Sequence, residues 1–69
     1  MEKTTLKMDD VIEFMNHIAP NKGERFSVSQ IQRKFRTGYT NACKAIEELV
    51  ELGHLEVNMI SDMRVYQRK

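Results

Sequence analysis

Residues 27–53 read SVSQIQRKFRTGYTNACKAIEELVELG, and the spacing of apolar residues within them decides the fold. Val28, Ile31 and Phe35 recur at helical intervals and mark an inward face, while Gln30, Arg33, Lys34 and Arg36 point outward. The pattern predicts a helix over about 29–36, with Ser29 as its N-cap and Ser27 as the alternative. Thr37-Gly38 then breaks the helix, and Gly38 is expected to take a positive φ there. Ala42, Ala45, Ile46, Leu49 and Val50 form the stripe of a following helix over about 39–52, closed by Gly53 as its C′ glycine. Two helices joined by so short a glycine-containing turn make a helix-turn-helix.

Upstream, Met8, Val11, Ile12, Met15, Ile18 and Ala19 form another helical stripe, over about 8–19. Asp9 and Asp10 suit its first turn, and Pro20 stops it. Residues 1–7 read as a frayed lead-in, and 21–24 as a turn. Phe26-Ser27-Val28 is short and β-leaning, and Phe14 falls off the stripe as an exposed ring. Downstream the period changes from 3.6 to 2. Leu55, Val57 and Met59 alternate with Glu56 and Asn58, Ser61-Asp62 interrupts, and Arg64–Gln67 returns. That is a β-hairpin signal, although its turn lacks Asn-Gly. The expected fold is α+β, mainly α: a single winged helix-turn-helix domain over 1–69, with three helices and a C-terminal β-hairpin.

The same stretch resembles the C-terminal γ domain of bacterial FtsK/SpoIIIE-type DNA translocases. Gln32, Arg33, Phe35, Gly38, Tyr39 and Ala42 fall in register on that family's pattern, across about 27 residues. Thr37, Thr40 and Asn41 depart from it, where the family carries Ile, most often Asn, and Arg. The resemblance implies a winged helix that contacts DNA; in the family it reads a short, G-rich, directional motif and so orients the motor. Without an attached motor domain, it implies a small transcriptional or DNA-maintenance regulator of bacterial, phage or plasmid origin.

Charge points the same way. The net charge of the 69 residues is only +1, but the charges are segregated. Arg25, Arg33, Lys34, Arg36 and Lys44 fall in residues 25–46 without a single acid, and Arg64, Arg68 and Lys69 close the chain. Such segregation suits a polyanion. Of the other classes, a transmembrane helix is excluded by the absence of any long apolar run, and the polar start lacks a secretory h-region. One cysteine forms no internal disulfide and fits a reducing cytoplasm. Cys43, His17 and His54 lack metal-ligand spacing, so no metal or cofactor is expected. Asp9-Asp10 and Glu47-Glu48 are sequence neighbours that diverge on a helix, and three glycines make no phosphate loop, so no enzyme is expected.

The candidate site is therefore an interface with double-stranded DNA. With Thr40 placed at 0° on a helical wheel, Lys44 falls near 40° and Glu47 near 340°, opposite Ala42, Ala45, Ile46 and Leu49. Thr40, Lys44 and Glu47 are thus the expected base-reading residues, with Asn41 on the flank near 100°. Arg33, Lys34, Arg36 and Tyr39 around the turn, and Arg64, Arg68 and Lys69 on the wing, are the expected phosphate contacts. A monomer this small covers few base pairs, which suggests a homodimer or tandem binding. The rival expectation is a protein-interaction adaptor that uses the same fold without DNA.

Overall fold

The expected elements form, with most ends displaced by a single residue. The structure, a computed structural model, describes residues 3–69. It consists of α1 (Met8–Ile18), α2 (Val28–Phe35), α3 (Tyr39–Glu51), β1 (Leu55–Ile60) and β2 (Met63–Arg68). This is the α+β, mainly helical, winged-helix-like layout that the periodicities describe. α3 is its centre and packs against α1, α2 and β1. Its buried residues, Ala42, Ala45, Ile46 and Leu49, meet Val11, Met15 and Ala19 from α1 and its end, Ile31 from α2, and Phe26 and Leu55. No polar side chain is buried among the described residues, so the core is held by apolar burial alone.

The helix ends show how local chemistry sets the boundaries. Ser27, not Ser29, is the N-cap of α2. The reason is Gln30, whose Oε1 accepts the Ser27 backbone N–H at 2.8 Å. That is half of a capping box, and it needs the glutamine three residues after the cap. Gly53 takes φ +84° after α3, as expected. The His54 N–H donates to the Leu49 carbonyl and the Gly53 N–H to that of Val50, a Schellman closure.

The turn between α2 and α3 departs from expectation. Gly38 has φ −71° and serves as the N-cap of α3. The left-handed residue is Arg36, at φ 50° and ψ 49°, which ends α2 by donating its N–H to Gln32. A helix that ends at Phe35 must reverse at the next residue, two positions before the glycine. A non-glycine residue held there costs about 1 kcal/mol.

Phe14 also departs from the exposed position that the stripe implies. Its ring meets Phe26 edge-on at 5.7 Å between centroids and Phe35 at 5.8 Å. The off-stripe position faces the crevice between α1 and α2, and there two further aromatic rings enclose it.

β1 and β2 pair antiparallel from Leu55↔Arg68 to Ile60↔Met63. Ser61 and Asp62 connect them at φ 50° and 64°. A two-residue hairpin of type I′ requires positive φ at both positions, so the turn forms without its usual glycine. Residues 23–26 run along the other side of β2. The Gly23 N–H donates to the Arg68 carbonyl, the Arg68 N–H to Glu24, and the Phe26 N–H to Tyr66. The extended stretch thus lies slightly before the expected Phe26–Val28.

The lead-in is tied down where it is described. Residues 1 and 2 of the expected frayed segment lie outside the described residues, but Thr4 and Thr5 are hydrogen-bonded to α3.

Candidate nucleic-acid interface

The core stripe of α3 determines what its other side can do. Ala42, Ala45, Ile46 and Leu49 are buried, which turns Thr40, Lys44 and Glu47 to the outside. Thr40 and Glu47 are exposed and Lys44 is half-buried. These three sit on one helical face because four residues, then three, return the chain to nearly the same azimuth.

Beside that face runs an open groove of about 600 Å³ between α3, the start of α2 and β2. Tyr39, Cys43 and Glu47 form its α3 wall at successive helical turns, and Arg25 and Arg64 flank it. Ser27 and Ser29 bring hydroxyls to its α2 end, with their Oγ atoms 3.1 Å apart. Tyr39 is 64% exposed. The Cys43 thiol one turn on, by hydrogen bonding and then charge, pushes the Tyr39 hydroxyl above its usual pKa. Arg25 is not among the phosphate contacts expected from the sequence. It opens the acid-free run 25–46, but only its pairing opposite Gln67 on β2 brings it alongside the wing.

Arg64 reaches this groove through strand alternation. Leu55, Val57 and Met59 lie opposite Arg68, Tyr66 and Arg64, so the six share one face of the hairpin. Arg64 lines the groove with Glu47 of α3, one acid among bases.

The remaining expected contacts are distributed differently. Arg68 donates through Nη1 to the Ala19 carbonyl at 3.2 Å, capping the C-terminus of α1, so its guanidinium is turned to the fold. Lys69 lies at the same base of the hairpin, its N–H on the His54 carbonyl. Lys34 is drawn towards α1. Its Nζ sits 5.7 Å from the centre of the Phe14 ring, in a groove shared with Asp10, Glu13 and His17. The run 25–46 contains no acid, yet folding places the acids of α1 beside Lys34. Arg33 borders the neighbouring α1–α2 groove with Ile18 and Gln30. Arg36 is exposed in the turn.

Asn41 is engaged inside the domain. Its Oδ1 accepts the Thr4 hydroxyl at 2.7 Å and the Thr5 N–H at 2.9 Å. Its Nδ2 donates to the hydroxyls of Thr5 at 2.9 Å and Thr37 at 2.8 Å. A carboxamide has two acceptor and two donor positions, and all four are occupied.

Among the described residues no group of three or more His, Cys, Asp or Glu side chains is placed to hold a metal ion, and no helix is long and apolar enough to cross a membrane. No family model, curated protein or solved structure matches the chain.

Proposed function

We propose that this domain binds double-stranded DNA, with α3 in the major groove and the β1–β2 hairpin against the adjoining backbone. The carrying observation is the coincidence of two features. The outward face of α3 presents Thr40, Lys44 and Glu47, and the groove beside it is flanked by Arg25 and Arg64 with the hydroxyls of Ser27, Ser29 and Tyr39. Lys44 approaches guanine O6 and N7, and Glu47 accepts from cytosine N4, which favours a site containing G·C pairs. Arg25, Arg64 and Arg36 carry phosphate. The biological setting that follows is transcriptional or DNA-maintenance control in the cytoplasm of a bacterium or its mobile elements, with pairing of copies on DNA to lengthen the site.

Selection of bound duplexes from a random library tests the reading, with gel shifts at low and moderate salt alongside. Lys44→Ala weakens the selected site by about 1–3 kcal/mol and random duplex by less. Glu47→Ala relaxes one base pair and leaves random binding equal or stronger. Equal losses on both DNAs for both variants would remove the base-reading claim.

One observation favours the adaptor reading. Val57, Met59, Ile60 and Met63 leave an exposed apolar tip on the wing, with Met59 at 65% and Met63 at 68% exposure. Apolar surface of this kind is found at protein contacts. No duplex binding even at low salt is the result that selects it.

A further inference from the structure

The DNA reading leaves unused the network that joins the N-terminal arm to α3. Thr4 and Thr5 reach Asn41 across 37 and 36 residues of sequence. They saturate its amide together with Thr37 of the turn. The Thr4 N–H also meets Glu48 Oε2 at 3.3 Å, two turns further along the same helix flank. Leu6 anchors the arm against the core, and its N–H returns to the Thr4 hydroxyl at 3.3 Å. The amide orientation is set, because the Thr5 N–H can only donate and so must face Oδ1.

Asn41 holds a particular place on α3. It is in the first turn, about 100° round the helix from Thr40, and neighbours Lys44 three residues on, so it lies at the edge of the base-facing surface. Asparagine is the side chain that pairs bidentately with adenine N6 and N7, through one donor and one acceptor. Here both functions are occupied by the arm and the turn. The groove with Arg25 and Arg64 involves other residues of the helix, Tyr39, Cys43 and Glu47, so the arm and the wing attend to different parts of α3.

We propose that the arm is a specificity latch: with Thr4 and Thr5 docked, Asn41 is withheld from base reading, and release of the arm hands it an adenine. This rests on the DNA-binding reading above. The bonds that hold the latch are polar and lie at a partly exposed surface, so the arm opens at less cost than the core. An opened arm adds one position to the site without altering the contacts of Lys44 or Glu47.

The test uses full-chain variants. T4V/T5P removes both hydroxyls and the Thr5 N–H, and T4V/T5V, a milder change, removes the hydroxyls alone. Two measurements are made on each. Hydrogen exchange of the Asn41 side-chain NH2, followed by NMR without DNA, reports the latch itself. It is expected to quicken roughly tenfold in T4V/T5P and by less in T4V/T5V. Selection from a random duplex library reports specificity. T4V/T5P is expected to gain a preference for adenine of roughly fivefold or more at one position next to those set by Lys44 and Glu47, and T4V/T5P/N41A to lose it. An unchanged preference in both arm variants, or a gained preference that survives N41A, overturns the latch. So does NH2 exchange that is already fast in the parent. If no variant binds any duplex, the DNA-binding reading fails and the specificity role fails with it. The exchange data, which need no DNA, separate that case from failure of the arm to hold Asn41.

Discussion

The base and the tip of the β1–β2 hairpin are made from one alternating pattern, and they differ in what lies beneath them. At the base, Leu55 is buried and the opposite residue, Arg68, reaches the Ala19 carbonyl to cap α1. Residues 23–26 bond to the outer side of β2 there, and the Lys69 N–H bonds to His54. At the tip the same face carries Met59, which is exposed, and Arg64, which borders an open groove beside α3 rather than packing into the core. A basic residue at the base is therefore drawn into the fold, while one four positions earlier stays exposed. Alternation sets which face a hairpin residue lies on, and distance from the core decides whether that face is structure or surface.

Stability measurements give the widest separation between the two ends. Leu55→Ala is expected to cost about 2–5 kcal/mol, as removal of a fully buried leucine does. Val57→Ala, two residues on along the same face, is expected to stay within about 0.5 kcal/mol, because Val57 is already 43% exposed. Urea melts of the two variants decide the matter. A comparable loss at Val57 would mean that the tip is packed in solution, by a partner or a second copy.

The two arginines should separate by readout. Arg68→Ala is expected to lower stability by about 1 kcal/mol through loss of the cap on α1, and to leave the salt dependence of duplex binding unchanged. Arg64→Ala is expected to leave stability within about 0.5 kcal/mol and to reduce the slope of log affinity against log salt by about one. An unaltered slope for Arg64→Ala at every salt concentration would show that the tip does not touch phosphate. A reduced slope for Arg68→Ala would show that the base also touches phosphate.

The smallest effect is expected at the turn. Replacing Ser61-Asp62 by Asn-Gly relieves two left-handed non-glycine residues and should stabilise the hairpin by about 0.5–1 kcal/mol. Amide exchange of the strand residues near the tip is the sensitive measurement. Faster exchange there would indicate that Ser61 and Asp62 are held by contacts the wild-type turn itself supplies.

Much of this protein is written in short-range pattern. The three helices, the hairpin and the buried face of α3 follow from spacings of three, four and two residues, because burial of an apolar stripe is the main gain available to a chain of 69 residues. The Gly53 closure is legible for the same reason, since it depends on neighbours within six residues. The placement of Thr40, Lys44 and Glu47 outside follows once Ala42, Ala45, Ile46 and Leu49 are inside. The partners of side chains far apart in the sequence come from the fold instead. Arg68 finds Ala19 at a separation of 49 residues, Asn41 finds Thr4 and Thr5, Lys34 finds Phe14 beside the acids of α1, and Arg25 joins the wing. Even the turn before α3 belongs here, because the residue that must turn left-handed is set by where α2 stops packing, and that residue is Arg36 rather than Gly38. Charge and hydrogen-bonding capacity are properties of a residue, but their use depends on what the fold brings within about 3 Å, and no local spacing contains that information.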